Sequence, residues 1–508
     1  MQGNVLEWLD GSAEKYPNKI AYEDTDSSVT FFEVKQKAQA IGSYVADKIG
    51  AVNRPVAVMS GRKAITPVIF LGVVYAGCFY APLDSSAPDY RLSHIIKQLN
   101  PAVIIADRDN AKRAESLADN IDILIAEDII EYEIDEAKLE KISRFAKATD
   151  PLYVIFTSGS SGVPKGVITS QESLIYYIDA YNDVMDITVD DVLGNQSPLD
   201  YIAAIRDIYL PLKTGASMFI IPKQYFSIPV NLFDVLNDKK ITAIGWSVSA
   251  LSVPTSMGVF EHSTPKYLKK VCFSGSVMPC KCLKIWQEHL PDAKFVNQYG
   301  PTEATASCTY YIVNEKVGAD DTLPIGIPYK NYSVFLLNED NTKTPNGECG
   351  EICVSGPILA LGYYNDPERT DNSFIQNPLN KNYRELIYKT GDLGRLREDG
   401  NLEFHGRKDR QIKLLGHRVE LDEIDEAVKA VSNVDDCVAL FNAEKETIIL
   451  FYTGSATSKE IAVELRKKLP VFMLPRKMIC LEKMPRLANG KIDMQTIKNN
   501  YLKEENAL

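Results

Sequence analysis

The residues Thr157, Ser158, Gly159, Ser160, Ser161 and Gly162, followed by Pro164 and Lys165, have the composition of a loop that can hold a polyphosphate. Glycines let the backbone turn several N–H groups toward one point, and the hydroxyls add donors. Lys165 supplies a compact positive charge. An apolar, β-prone run at 153–156 feeds the loop. No Gly-Lys-Ser/Thr stands at the spacing of a Walker A loop, so that class is excluded. Taken alone, the loop reads either as a phosphate cradle or as a Gly/Ser-rich surface turn.

Further blocks follow: Asn297-Gln-Tyr-Gly-Pro-Thr-Glu303, Tyr388-Lys-Thr-Gly-Asp392, Gly406-Arg-Lys-Asp-Arg-Gln-Ile-Lys413, Gly416-His-Arg-Val-Glu420 and Asn489-Gly-Lys491. Asp392, expected at a strand-to-turn position, can accept two ribose hydroxyls or simply hold a turn. Glu303 can serve Mg2+, which keeps most of its waters and needs few protein carboxylates, or can be an ordinary salt-bridge residue. Lys491 on a glycine turn is a solvated cation unless a cleft receives it.

In this order and at this spacing the blocks resemble the adenylate-forming superfamily, in particular nonribosomal peptide synthetase amino-acid adenylation domains and stand-alone D-alanine–carrier protein ligases. The resemblance covers nearly the whole chain. It implies ATP-dependent activation of a carboxylic acid to an acyl-adenylate with release of pyrophosphate. The acyl group then passes to the phosphopantetheine thiol of a carrier protein. ATP would be held by Thr157, Ser158, Gly159, Ser160, Ser161, Gly162 and Lys165 and by Asn297, Gln298, Tyr299, Gly300, Pro301 and Thr302. Asp392 and Arg407 would meet the ribose, with Phe404 and Tyr299 facing the adenine. Glu303 would carry Mg2+, and Thr302, Glu303 and Lys491 would be catalytic. Lys491 would stabilise charge as carboxylate and α-phosphate approach each other.

The resemblance also places a substrate pocket at Ile202, Ala203, Arg206, Gly245, Cys272, Ser274, Gln298, Ala306 and Ser307. Here the chain departs from the pattern. Where the family has an aspartate for the substrate's α-ammonium, this sequence has Ile202, and Asp200 lies two residues earlier. An isoleucine cannot pair an ammonium. Arg206 would repel one, or receive a second carboxylate, a keto or a hydroxyl oxygen. A neutral or differently charged acid is therefore expected. A CoA ligase using free CoA is the alternative within the class. A non-catalytic binding protein on the same fold would show damage at Glu303, Asp392, Arg407 or Lys491, and all four residue types are in place.

These residues must be positioned by more than one domain, and 508 residues allow that. Short apolar runs at 56–59, 103–106, 123–125, 192–196, 218–221, 241–246, 269–274 and 295–299 read as buried strands. Helical patterns at 4–16, 32–49, 170–184 and 205–212 stand among them, which predicts parallel sheets with helical crossovers. Residues 347–354 and 395–405 read as antiparallel strands, the second turning at Asp399-Gly400. After Asp409 come strands at 411–414, 434–441 and 447–452 and helices at 422–431 and 458–468. The expected class is α/β. A large N-terminal domain, 1–408, has parallel and mixed sheets with helices plus a small β-barrel-like part. A small mobile α+β domain, 409–508, carries Lys491 and hinges at Asp409.

A net charge of −12 argues against nucleic acid or an anionic membrane as partner. Nine scattered cysteines, with Cys280 and Cys282 too close to form a zinc knuckle, suit a reduced cytoplasmic protein. No signal peptide and no membrane span are expected. Residues 64–83 lack charge and are long enough to span a bilayer, but Pro67, Gly72, Gly77 and Pro82 point to a buried helix at 64–76 and a strand at 78–81. No carrier segment or condensation motif occurs, so the thiol is expected on another molecule.

Overall fold

The computed structural model describes residues 3–159, 163–443, 445–487 and 491–502. In it the uncharged run forms the helix Ile65–Tyr75, buried from Thr66 onward, and the strand Phe79–Pro82. A helix that is apolar on every side belongs inside a core. It packs on the helix Phe31–Ile49 through two glycines. A Cβ at Gly72 would stand 2.5 Å from Ile41 Cγ2, and one at Gly42 2.5 Å from Tyr75 Cβ. Phe31–Ile49 starts at a capping box, with Thr30 Oγ1 accepting from Glu33 N and Thr30 N donating to Glu33 Oε2 at 2.8 Å. It stops at Gly50, whose φ of 66° suits a C-terminal cap. Among the described residues no helix is long and apolar enough to cross a membrane.

The chain divides into two units. One comprises Met1–Ser85, Ile96–Phe156 and Gly166–Lys408, and the other Ser86–Ile95, Thr157–Lys165 and Asp409–Leu508. The second therefore takes in two short segments beyond those expected from the sequence.

Two large sheets draw their strands from residues 20–363. Seven strands run in the order Gly362–Tyr363, Lys165–Ser170, Pro151–Thr157, Phe79–Pro82, Pro55–Met59, Val103–Ala106, Ile123–Ile125. The last five are parallel wherever they pair. Nine strands form the other, and its parallel centre consists of Lys294–Tyr299, Lys270–Ser274, Ala243–Ser247, Val192–Asn195, Ser217–Ile220 and Ile20–Glu23. These strands are almost wholly buried, which is why each shows a short apolar stretch in the sequence. Thr309–Ile312 and Ile327–Pro328 extend one edge antiparallel.

A five-stranded antiparallel sheet follows, the barrel-like part of the fold. It runs Ser333–Leu337, Cys349–Ser355, Leu386–Leu396, Phe374–Gln376, with Leu402–Arg407 also paired to Leu386–Leu396. Gly400, at φ 82°, turns the last hairpin. In the second unit the hairpin Gln411–Leu414/His417–Glu420 precedes the sheet Val434–Asn442, Thr447–Gly454, Lys477–Cys480. The helices Leu421–Lys429 and Ser458–Lys468 pack Ile424, Val428, Ile461 and Leu465 into its core.

Candidate active site

Asp392 lies inside the strand Leu386–Leu396, not at a strand end as its Gly-Asp context suggests. Gly391, at φ 74°, and a register shift between Asp392 and Gly394 make the local irregularity that the sequence shows as a turn. Across the ladder Asp392 faces Arg407. Its Oδ1 accepts from Arg407 Nη1 and its Oδ2 from the Tyr299 hydroxyl. The carboxylate is buried, and each oxygen retains a second lone pair. Burial, and next the Asp392 charge, hold the Tyr299 hydroxyl well above the usual phenol range, so it stays a neutral donor. The Tyr299 and Phe404 rings stand 6.4 Å apart at 40°, an aromatic contact distance. Four residues from three strands thus meet as an acidic and aromatic corner. Such a corner can take two vicinal hydroxyls beside a planar base.

The second element is the turn after the strand Lys294–Tyr299. Gly300 is sterically required there, because an added Cβ would lie 2.5 Å from Ser307 Cα and 2.7 Å from Cys308 N. Thr302–Ala304 form one 3-10 turn, and Thr305 and Ala306 follow at φ 45° and 73°. Two consecutive non-glycine residues in the left-handed region are costly and persist only where neighbours hold them. Here Cys308 N bonds Tyr299 O at 2.8 Å, Ala360 N bonds Glu303 O at 2.9 Å, and Thr305 Oγ1 bonds Ile358 O at 2.7 Å. Glu303 is fully buried, and its Oε1 accepts from the Tyr363 hydroxyl at 2.7 Å. Among the described residues no cluster of three or more His, Cys, Asp or Glu forms a metal cage. A lone buried carboxylate still fits Mg2+, whose other ligands are phosphate oxygens and water. Thr302 is buried beside Glu303, and Asn297 Nδ2 donates to Pro324 O at 2.8 Å.

The predicted pocket residues fall on the parallel centre of the nine-stranded sheet and the helix Ala204–Thr214. Gly245 and Cys272 are ladder partners, and Ser274 pairs Ser247. Gln298 Nε2 donates to the Tyr329 hydroxyl, and its Oε1 accepts from Ser307 Oγ at 3.2 Å. Ile202 and Arg206 are both buried, and Ala203 precedes the helix. Arg206 Nη2 donates to Gly245 O. Arg206 Nε stands 3.7 Å from Asp207 Oδ1 and has no hydrogen-bond partner. Burial pushes the Asp207 carboxyl up to about 6, against the pull of Arg206 and of Asn195, whose Nδ2 donates to it at 2.9 Å. The Asp200 charge bears on Arg62, which donates to Asn195 Oδ1 and to the carbonyls of Gln196 and Ile221. Tyr177, Tyr181, Tyr329 and Tyr363 belong to this region, but no short motif marks them among the chain's 26 tyrosines.

In the second unit, Thr157 Oγ1 is buried without a partner, and Ser158 Oγ donates to Arg418 O at 2.7 Å. Lys165 is buried. Ser160, Ser161 and Gly162 lie outside the described residues, as do Asn489 and Gly490. Lys491 is exposed, and its carbonyl accepts from Leu487 N at 2.8 Å beside the bridge Arg486–Ile492. Asp409 is exposed, and its Oδ1 accepts from Gln411 N at 3.2 Å.

These elements make a mixed α/β fold with a buried Asp–Tyr–Arg corner and an acidic turn held in the left-handed region. The whole fold matches that of the Vibrio cholerae adenylation domain AlmE, solved with glycyl-adenosine-5'-phosphate, at a TM-score of 0.85 and 21% identity over 99% of this chain and 98% of that one. The chain belongs to the AMP-binding enzyme family, whose model matches residues 9–364. It is 28% identical to D-alanine–D-alanyl carrier protein ligase of Bacillus cereus (strain AH187), over 97% of this chain and 98% of that protein. It is 30% identical to bacitracin synthase 1 of Bacillus licheniformis over 97% of its own length, but it spans only 9% of that synthase.

Proposed function

We propose that this protein activates a carboxylic acid with ATP, forming an acyl-adenylate and pyrophosphate, and passes the acyl group to the phosphopantetheine thiol of a separate carrier protein. The observation that carries this reading is the Tyr299–Asp392–Arg407–Phe404 corner, whose carboxylate and rings suit a ribose and an adenine. The ligase from Bacillus cereus, matched over nearly all of both chains, supports a carrier protein rather than free CoA as acceptor.

In this reading Asp392 binds the ribose hydroxyls, and Arg407 and Tyr299 fix its orientation. Thr157, Ser158, Ser160, Ser161 and Lys165 hold the pyrophosphate end, with the backbone of Gly159 and Gly162. The turn at Gly300, Pro301 and Thr302 presents the α-phosphate, flanked by Asn297 and Gln298. Glu303 would hold Mg2+, which would supply charge neutralisation at the phosphates. Lys491 approaches both the carboxylate and the α-phosphate and stabilises charge as the acyl oxygen attacks phosphorus. We assign residues 1–408 to the core and 409–508 to a mobile domain pivoting at Asp409, so that Lys491 serves the first half-reaction only. All nine cysteines are free thiols, which suits a reducing compartment, and we place the activity in the cytoplasm.

Acid-dependent exchange of labelled pyrophosphate into ATP tests the first half-reaction. Loading of a phosphopantetheinylated carrier, compared with free CoA, tests the second. Exchange stimulated by one class of acid and transfer to the carrier alone are expected. Exchange unaffected by any acid, or faster transfer to CoA, would contradict the corresponding step.

A further inference from the structure

We propose that the acid accepted by this site lacks an α-ammonium and carries a second carboxylate, which Arg206 receives. This deepens the adenylation reading and rests on it.

The location follows from a continuous set of contacts within one unit. Arg206 lies against Gly245, and Gly245 pairs with Cys272 on the neighbouring strand. Arg206 interacts electrostatically with Cys272, Tyr181 and Tyr177, and Tyr177 in turn with Ser307. Ser307 bonds Gln298, the residue before Tyr299, and Tyr299 bonds Asp392. The guanidinium therefore sits on the parallel centre of the sheet, connected to the nucleotide corner. Open α/β sheets bind ligands near the carboxyl ends of such strands.

One polar atom there is buried without a partner, Arg206 Nε; the Tyr177 hydroxyl beside it is engaged by Ser307 and Arg206. Buried polar groups are almost always paired, so each unpaired one needs an explanation. Nε can only donate, so it calls for an acceptor. The nearest carboxylate oxygen, Asp207 Oδ1, is 3.7 Å from Nε, too far for a hydrogen bond. Asp207 instead accepts from Asn195. Gly245 makes room for the cation, since a Cβ there would stand 2.3 Å from Arg206 Nε and 2.8 Å from its Cζ.

Ile202, one helical turn before Arg206, is 7% exposed and packs in the apolar core. An ammonium brought against it would lose water without gaining a partner, and Arg206 would repel it. A carboxylate brought to Arg206 gains a charge-assisted, planar partner.

Pyrophosphate exchange with a matched four-carbon set separates the classes: butanedioate, its monoamide, butanoate and 2-aminobutanoate, with three-, five- and six-carbon and aryl homologues extending it. At the best chain length the dicarboxylate should exceed the monoamide and the monocarboxylate at least tenfold in kcat/KM. Arg206→Met should abolish that preference, and Arg206→Lys should restore part of it. Should the variants fail to fold, the wild-type ordering alone decides. A preference for the α-amino acid, or a dicarboxylate preference unchanged in Arg206→Met, overturns the proposal and leaves the adenylation reading intact. Exchange with no acid overturns both.

Discussion

Replacing Gly300 by alanine tests whether the turn carrying Thr302 and Glu303 is the reaction site. The added Cβ would meet Ser307 Cα at 2.5 Å, Cys308 N at 2.7 Å and Ala306 O at 2.8 Å. All three are backbone or Cα atoms, so no side chain can rotate away. Ordinary contact needs at least about 3.4 Å, so the turn must open by roughly 1 Å. Overpacking of this kind costs about 1–3 kcal/mol, which a chain with so large a core survives. The same displacement at reacting groups costs about 100-fold in rate. Gly300→Ala should therefore remain folded by urea denaturation, with a modest loss of stability, while kcat/KM for pyrophosphate exchange falls about 100-fold or more. Gly11, inside the helix Leu6–Lys15, has nothing within 4 Å of its added Cβ and is the control. Gly11→Ala should stabilise by about 1 kcal/mol and leave exchange unchanged. Exchange within about threefold of wild type in Gly300→Ala would refute the placement of the site.

Lys491→Ala should nearly abolish adenylation while leaving thiol transfer from preformed adenylate largely intact; equal loss in both half-reactions would contradict its role. Asp409→Pro fixes φ at the proposed pivot, so adenylation and transfer should respond unequally, and matching wild-type rates in both would place the hinge elsewhere. Asp207 has a folded pKa of about 6, raised by burial above the ordinary carboxylate value of about 3.9. The native state thus holds its proton more tightly than the unfolded chain. The associated stability is fully present below about pH 4 and is lost as pH rises through about 6. Relative to Asp207→Asn, the wild type should gain on the order of 3 kcal/mol between pH 8 and pH 4, read from urea midpoints at each pH. A pH-independent difference would contradict the burial of a charged carboxylate beside Arg206.

Much of the core was legible because buried parallel strands leave unbroken apolar runs, as at Val103–Ala106 and Pro55–Met59. Strands of mixed composition were not, among them Lys165–Ser170, Ser333–Leu337 and Lys477–Cys480, whose pairing depends on partners distant in sequence. At the site, Tyr299, Asp392, Phe404 and Arg407 are named by their motifs and do meet. Tyr363 on Glu303 and Tyr177 near Arg206 are set by tertiary packing alone, and nothing local distinguishes them from other buried tyrosines. The sequence places Arg206 among the pocket residues, but its burial under Gly245 depends on a strand 39 residues away.

The central chemical claim is that the acid's own oxygen becomes bonded to the α-phosphorus of ATP. An acid labelled with 18O in its carboxylate, turned over with ATP and a phosphopantetheinylated carrier, tests it directly by mass spectrometry of the released nucleotide. AMP carrying one 18O is the predicted result. Unlabelled AMP, or ADP with label in phosphate, would contradict it.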